Sequence, residues 1–473
     1  MSFISIYYVI FVALLNLIFY CVLVKSRLKV LLAGSVFYIV LYSGFASLWL
    51  LYAVLTAFFF GVAYRRGIHF FRCKCGFVIT IAALLFPLLF LKYFCSGMTG
   101  IFSELIVPIG ISFYTLSLIS YVADVWRGKY GPETKFIDFL LFSLFFPQIL
   151  QGPIARFDRW KENLAAEHKF DYQNYTFGWQ LILWGYFLKF VIADKAGIMV
   201  NTVYDHYREL NGLYIVFAVL LYSIQLYADF SGCVNIAMGT AQTFGFKLQE
   251  NFRQPYFADS VRDFWRRWHL TLSSWLRDYI YIPLGGNRKG KIRQCLNILI
   301  VFGVSGIWHG AGITYILWGL LHGVYQIFEI ALDNLSAGVQ KRKGNRLKKA
   351  CKTAMTFLLI TFAWMLFRAG SVTHFIELVK GMFAVWNPEI ILDGDAYFKM
   401  GLSRLQTVPL VVGMIFLFIV DLLHEKNIRV RERVAKCPIA IRWGIYLTAI
   451  LSIWVFGTYG FGFAAQDFIY GGF

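Results

Sequence analysis

The chain has 473 residues, of which 59% are hydrophobic and only 15% are charged. A soluble domain carries about 25% charged residues, whereas apolar runs long enough to cross a bilayer recur along this whole chain. These features exclude a string of soluble domains and predict a polytopic membrane protein. The net charge of +19 lies mostly in short loops, as is typical of cytoplasmic loops, so it gives little support to nucleic-acid binding.

The apolar runs of the first half predict a series of spans separated by basic loops. The first run has neither a basic leader nor a small-residue cleavage site, so we interpret it as a span and not as a signal peptide. Lys25 follows it and no positive charge precedes it, which predicts an outside N-terminus. One run is too long for a single helix and should turn near Ser43 and Gly44. The predicted spans are residues 3–24, two within 30–64, 77–95, 106–125, 176–193 and 212–232.

The second half continues in the same way. Residues 136–150 are apolar but short and have basic neighbours, which favours a re-entrant or interfacial segment over a crossing. Residues 341–352 form a basic loop that could do no more than attract anionic lipid, and 384–406 is the long polar stretch on an outer face. The remaining predicted spans are two within 297–332, 353–367, 408–423 and 443–463.

The predicted architecture is therefore all-α, with roughly eleven transmembrane helices and additional re-entrant or interfacial helices in one membrane domain over residues 1–473. The eight cysteines are scattered, mostly within apolar runs. Cys73 and Cys75 are the one close pair, and no group has metal-ligand spacing. We therefore predict neither disulfides nor a metal site.

Residues 262–284 predict an amphipathic helix lying in the membrane interface. At about 100° per residue, one face carries mostly aromatic residues and leucines, whereas arginines and serines share the other. The apolar face comprises Trp265, Trp268, Leu272, Trp275, Leu276 and Tyr279. Aromatic residues on one side and arginines on the other are typical of interfacial helices. His269 falls at the edge of the apolar stripe, where it could be either incidental or functional.

His309 is an ionisable residue within a glycine-broken apolar run, Gly-Ile-Trp-His-Gly-Ala-Gly at 306–312. Ionisable groups in spans are costly and usually face the protein interior. The glycines allow a backbone or a ligand to approach closely. A neutral imidazole there could act as a general base toward a hydroxyl, or it could simply hydrogen-bond across a helix interface.

Three other polar residues lie within apolar runs. On a continuous helix His322 would point away from His309, which favours a packing or pore-lining role. Asp229 and Lys189 could line a polar tunnel or pair within the bundle.

Alternative chemistry has weak support. There is no P-loop, no Gly-X-Ser-X-Gly elbow and no dinucleotide fingerprint. The basic glycine-rich segment 285–290 lacks the strand-to-helix context of a phosphate loop.

A transporter or channel is the alternative from another class, because broken helices and intramembrane polar residues suit a substrate path. No internal repeat supports it.

Several separate motifs together resemble the membrane-bound O-acyltransferase family, in particular its alginate O-acetyltransferase subunit I (AlgI-like) branch. The resemblance extends from near the N-terminus to Phe-Ile-Tyr-Gly-Gly-Phe at 468–473. It rests on Arg-Asp-Phe-Trp-Arg-Arg-Trp-His at 262–269, Ser-Trp-Leu-Arg-Asp-Tyr-Ile-Tyr-Ile-Pro-Leu-Gly-Gly-Asn at 274–287, Gly-Ile-Trp-His-Gly-Ala at 306–311, Pro-Ile-Gly-Ile-Ser-Phe-Tyr-Thr at 108–115, Phe-Pro-Gln-Ile-Leu-Gln-Gly-Pro-Ile-Ala-Arg at 146–156 and Tyr-Ala-Asp-Phe-Ser-Gly at 227–232.

The resemblance implies a ring of spanning helices around a thin centre, with a funnel or tunnel that meets at the catalytic histidine. That residue is His309 here, and the second characteristic polar position falls on His269. It also implies a multi-pass enzyme of the bacterial cytoplasmic membrane. The enzyme would take an acyl group, most simply from acetyl-coenzyme A, and pass it toward an exported polysaccharide through a partner SGNH-type acetyltransferase outside the membrane.

The acyl donor would need an anion-binding surface on the cytoplasmic side. We expect Arg266, Arg267, Arg288 and Lys289 to contact the anionic part of coenzyme A or of a carrier protein. Peptidoglycan O-acetylation and D-alanyl transfer to teichoic acid stay open as alternatives, since spans and histidines do not distinguish the acceptors.

Overall fold

A computed structural model describes residues 3–94, 108, 110–149, 151–335, 346–391 and 393–459. The regular elements of these residues are all helices, without a strand. Helices pair backbone N–H and C=O groups within one segment, as lipid requires. The chain divides into two compact units. The first comprises 1–182 and 234–249, and the second comprises 183–233 and 250–472.

The described residues of the first half of the chain form twelve α-helices. Short 3₁₀ turns at Val24–Ser26 and Gly44–Ala46 precede α2 and α3, and π-helical segments at Phe90–Phe94 and Phe187–Ala193 follow α5 and α10. The helices are α1 (Ile6–Cys21), α2 (Arg27–Ser43), α3 (Ser47–Arg65), α4 (His69–Arg72), α5 (Lys74–Leu89), α6 (Ile111–Trp126), α7 (Phe136–Leu144), α8 (Phe146–Ile149), α9 (Phe157–Ala165), α10 (Tyr172–Tyr186), α11 (Asp194–Asp205) and α12 (Leu213–Thr243).

The second half contains short helices around a set of long apolar ones. A π-helical segment, Arg277–Tyr281, follows α14, and 3₁₀ turns lie at Pro255–Phe257 and Pro388–Ile391. The helices are α13 (Val261–Trp265), α14 (Leu270–Leu276), α15 (Lys291–His309), α16 (Ile313–Leu335), α17 (Arg346–Arg368), α18 (Val372–Ala384), α19 (Ala396–Lys399), α20 (Arg404–Glu425), α21 (Val430–Ala435) and α22 (Ile439–Phe456).

The prediction of a polytopic all-α membrane protein is confirmed. Eight of the described segments are long and apolar enough to cross a membrane. One of them, Val24–Arg65, contains both α2 and α3, which turn at Ser43 and Gly44 as predicted. The shorter helices α1 and α6 are also apolar. Some residues of predicted features lie outside the described residues. They are residues 95, 106, 107, 109, 150, 341–345, 392, 460–463 and the terminal motif at 468–473.

Two predicted spans are parts of longer helical runs. Residues 176–193 belong to an unbroken run from α10 through the Phe187–Ala193 segment to α11. The predicted span 212–232 is, from residue 213 onward, the first part of α12. By contrast, 136–150 does not form one crossing helix, because Phe145 interrupts it between α7 and α8. Hydropathy locates apolar stretches well but does not mark where a helix continues into polar sequence.

The predicted single helix over 262–284 is wrong. The chain leaves α13 at Trp265 and begins α14 only at Leu270, and His269 between them has a left-handed backbone with φ 44° and ψ 54°. Trp265 and Trp268 are both buried. This segment is therefore part of the core of the second unit and does not lie on a membrane surface as one amphipathic helix.

The first unit has a core of aromatic rings around a buried arginine. The guanidinium of Arg27 donates hydrogen bonds to the carbonyl oxygens of Phe19 and His168. His168 stacks on Phe246 with 4.2 Å between ring centroids. Because these backbone oxygens satisfy the guanidinium, its burial is tolerated.

The helical hairpin of α15 and α16 is packed unusually closely. A Cβ atom at Gly306 would lie 2.4 Å from the carbonyl oxygen of Tyr315, and one at Gly319 would lie 2.2 Å from that of Phe302. Only glycine fits at such contacts. Of the two possibilities for Gly306, approach of a backbone or of a ligand, the structure has the backbone of α16 against it.

Candidate active site

His309 is the last residue of α15, at the break between two membrane helices. The chain turns through Gly310 and resumes as α16 at Ile313. The His309 side chain is 2% exposed, although it stands at a helix end. The glycines at the break therefore place an imidazole inside the protein at the point where the hairpin reverses.

The walls around His309 are aromatic. Its ring meets those of Trp308, Trp318 and Phe367 edge-on, with centroid separations of 4.8, 5.0 and 5.5 Å. Phe367 lies near the end of α17. Residues of three consecutive long helices, α15, α16 and α17, therefore surround the His309 ring. Aromatic side chains therefore separate this imidazole from bulk water.

His269 reaches the same region from a different segment. Its ring lies 6.1 Å from that of Trp308 and 4.8 Å from that of Phe230, which is on α12. Asn251 fixes the backbone here, because its carbonyl oxygen accepts from the N–H of Leu270 and its side-chain oxygen accepts from the N–H of Thr271. These bonds hold His269 in the left-handed conformation, which costs free energy in a non-glycine residue.

Burial lowers the pKa of His269, which lies outside the candidate spans, from its usual value to about 3. In the folded protein this imidazole is therefore neutral throughout the physiological range. It could act there as a neutral hydrogen-bonding group, but it does not titrate near pH 7.

A pH-dependent stability difference follows for His269. An unfolded histidine titrates near pH 6.5. Below that pH the imidazole of His269 therefore binds a proton in the unfolded chain but not in the folded protein. The free energy of unfolding should fall by about 2 kcal/mol more for the wild type than for His269→Gln between pH 7 and pH 5. Thermal unfolding in detergent at both pH values measures this difference. Equal losses in the two proteins would contradict the assignment.

His322 is not remote from His309. The expectation that it points away assumed a continuous helix, but the chain reverses at 310–312. The rings of His322 and His309 both contact the indole of Trp318, with centroids 5.1 and 5.0 Å from the indole centroid. Sequence reasoning missed Trp318. Its spacing of four residues from His322 on α16 would have indicated a shared face.

Lys189 and Asp229 are paired and do not form an open polar path. The ammonium of Lys189 lies 2.8 Å from a carboxylate oxygen of Asp229 and 2.9 Å from one of Asp194. All three side chains are almost completely buried. This arrangement, which we call the lysine triad, favours pairing within the bundle, the second of the two predicted possibilities.

The predicted donor-binding basic residues fall into two groups. Arg267 is half-buried, and it pairs with Asp263 at 2.8 Å and Glu425 at 2.6 Å. Arg266, Arg288 and Lys289 are exposed and make no ion pair with the described residues. Arg267 is therefore suited to holding α13 against α20, whereas the other three are available to an anionic ligand. Within the described residues no group of three His, Cys, Asp or Glu side chains is placed to hold a metal ion.

Apolar spanning helices and a buried histidine at a helix break define a polytopic membrane protein with a candidate intramembrane active site. The profile described as "MBOAT, membrane-bound O-acyltransferase family" matches residues 131–369. This range includes α13 to α16, His269 and His309. The chain belongs to the membrane-bound O-acyltransferase family.

Curated relatives carry three different names. "Probable alginate O-acetylase AlgI" of Pseudomonas putida is 36% identical over 67% of this chain and 63% of its own. "Peptidoglycan O-acetyltransferase" of Helicobacter pylori is 34% identical over 59% and 57%. "Teichoic acid D-alanyltransferase" of Bacillus subtilis is 28% identical over 57% and 71%. The chain thus spans about three fifths of the first relative's length.

Proposed function

We propose that the protein is an O-acyltransferase in which His309 is the general base. The observation that carries the proposal is the burial of this imidazole at the break between α15 and α16, within the matched family range. Histidine is the side chain that most often accepts a proton from a reacting hydroxyl in general acid–base catalysis.

The reaction joins an acyl thioester to a hydroxyl. His309 accepts the hydroxyl proton as the oxygen attacks the acyl carbonyl carbon, and the carbonyl electron pair moves onto its oxygen. The tetrahedral intermediate collapses, the carbon–sulfur bond breaks, and the thiolate takes the proton back from His309. The products are an ester and a thiol, and the imidazole is regenerated.

His269 is a positioning residue in this proposal. Its ring contacts Trp308, the neighbour of His309, and it stays neutral because burial lowers its pKa to about 3. It is therefore suited to orienting His309 or a substrate by hydrogen bonding, and it does not compete for the transferred proton. The left-handed backbone at His269 fits such a role, because strained conformations concentrate at functional sites.

The donor is an acyl thioester, most simply acetyl-coenzyme A. Arg266, Arg288 and Lys289 are exposed cations that suit the phosphates of such a donor. They adjoin segments that the distribution of basic residues assigns to the cytoplasmic face. Arg267 is left out of this proposal because Asp263 and Glu425 neutralise it.

Reversing charge at the exposed basic residues should weaken donor binding. We expect Arg288→Glu/Lys289→Glu to raise the KM for acetyl-coenzyme A about fivefold, for about 1 kcal/mol of lost attraction, with a smaller effect at high salt. Lys348→Glu/Lys349→Glu, at the exposed start of α17, is the matched control because it changes charge equally. Equal KM values in the two double variants would contradict the donor contact.

The acceptor is an exported cell-surface polysaccharide, by analogy with the O-acetylases among the relatives. We place the protein in the bacterial cytoplasmic membrane, with transfer completed by an extracytoplasmic SGNH-type acetyltransferase.

The decisive experiment compares the envelope esters of a strain that lacks the gene with those of the same strain carrying it. Mass spectrometry of the esters released by mild base should detect gene-dependent acetate. D-alanine released instead would favour the activity named for the Bacillus subtilis relative. If neither ester depends on the gene, the O-acyltransferase proposal is wrong.

A further inference from the structure

Two fully buried ring nitrogens on α16 have no hydrogen-bond partner within the described part of the chain, one in a ring that contacts His309 and one in a ring that contacts Trp318. They are Nε1 of Trp318 and Nε2 of His322, and both side chains are 0% exposed. Leaving a buried donor unsatisfied costs about 1–3 kcal/mol. Such groups are rare in native proteins, and each one calls for a bound molecule or another specific reason.

The protonation of His322 follows from its neighbour. Nε1 of Trp265 donates to Nδ1 of His322 at 3.3 Å. An indole nitrogen can only donate, so Nδ1 is the acceptor and the neutral ring carries its proton on Nε2. His322 therefore presents a donor and not a second base.

Trp318 is held rigidly beside the proposed base. Its ring stacks on that of Trp364 with an interplanar angle of 18° and meets the Phe367 ring edge-on. The centroid of the His309 ring is 5.0 Å away. A clamped indole of this kind offers its N–H in a fixed direction, as donors that act on a developing charge must.

The spacing of the two donors suits a thioester arm. Trp318 and His322 are four residues apart on one face of α16, a rise of about 6 Å. In a pantetheine thioester, the acyl carbonyl and the nearest amide carbonyl are separated by a sulfur, two methylenes and a nitrogen. This separation is comparable to one helical turn. His322 is also farther from the helix break than Trp318, toward the end of the hairpin at which α15 begins just after Arg288 and Lys289.

We propose that Trp318 and His322 bind the pantetheine arm of the acyl donor, an inference that rests on the proposed acyl transfer. The N–H of Trp318 donates a hydrogen bond to the acyl carbonyl oxygen. This hydrogen bond becomes stronger as the oxygen gains negative charge during attack. The N–H of His322 donates to the nearest amide carbonyl and sets the position of the arm. The proton and electron movements of the transfer stay as described above.

Substitutions at His322 separate donor binding from packing. Asparagine can keep an acceptor near the former Nδ1 for Trp265 but loses the distal donor. Glutamine places an N–H near the former Nε2 but loses the proximal acceptor. If His322 binds the arm, His322→Asn should be the more damaging change, with glutamine restoring much of the lost activity. If His322 only supports Trp265, the order should reverse.

Small donors test the amide contact directly. S-acetyl-N-acetylcysteamine retains both carbonyls, whereas S-ethyl thioacetate has only the thioester. In membrane vesicles containing the full chain, the wild type should prefer the first by about tenfold in kcat/KM, for one hydrogen bond of about 1.4 kcal/mol. His322→Asn should abolish this preference, and Trp318→Phe should lower kcat with both donors while leaving the preference intact.

The outcomes distinguish this inference from the underlying activity. If the wild type transfers acetyl but His322→Asn keeps the tenfold preference, the arm-binding proposal is overturned while the O-acyltransferase proposal stands. If no acetyl is transferred from any thioester, the O-acyltransferase proposal fails first. Parallel assays with acetyl-coenzyme A and with an acetylated acidic carrier protein identify the source of the arm, since both present the same two carbonyls.

Discussion

His309→Ala should reduce acyl transfer by about 10²–10⁴-fold, the range that a positioned general base contributes. The imidazole is buried among Trp308, Trp318 and Phe367, so bulk water does not readily replace it as a proton acceptor. The measurement is the rate of acetyl transfer from acetyl-coenzyme A in vesicles, supported by the ester content of the envelope. Protein abundance in the membrane must be matched between variants.

Two further variants make the loss at His309 interpretable. His309→Gln keeps a polar side chain of similar length but removes the basic nitrogen, so it should be as inactive as His309→Ala. His168→Gln replaces another buried imidazole, in the first unit and stacked on Phe246, and should keep acyl transfer. Full activity of well-expressed His309→Ala would remove the catalytic assignment, and a similar loss in His168→Gln would attribute the effect to folding.

The apolar runs and the glycines that interrupt them predicted the positions of many helices and of the breaks between them. The turn near Ser43 and Gly44 and the division of 297–332 into two helices were both visible as interruptions of hydrophobic runs. These features are local, because a backbone crossing lipid must pair its polar groups within its own helix. His269 and His309 were predicted from the sequence as candidate site residues, and both are buried in the structure.

What the sequence could not supply were contacts between distant segments. The wheel over 262–284 failed because Asn251, outside the window, holds the backbone of Leu270 and Thr271 and so fixes a break at His269. No local signal marks a left-handed histidine. The position of His322 near His309 depends on the chain reversal at 310–312. A helical wheel assumes one continuous helix, so it cannot predict positions across that reversal.

Lys189→Met should destabilise the folded protein by about 3–5 kcal/mol, the cost of removing one partner from a buried ion pair. The lysine triad has one cation for two carboxylates, at 2.8 and 2.9 Å. Without the ammonium, Asp194 and Asp229 must either face each other as charges or take up protons at a cost in free energy. Thermal unfolding in detergent, with intact protein in the membrane as a second readout, measures the loss.

A neutral version of the lysine triad separates the unpaired charges from lost packing. Lys189→Met/Asp194→Asn/Asp229→Asn should recover much of the stability, since removing all the charges is far less costly than removing one. A triple variant as unstable as Lys189→Met would contradict this account.

The triad also bears on the candidate site, because Asp229 precedes Phe230, whose ring lies 4.8 Å from that of His269. Lys189→Met should therefore impair acyl transfer even where folded protein remains, while the neutral triple variant, which keeps α12 in place, should retain it.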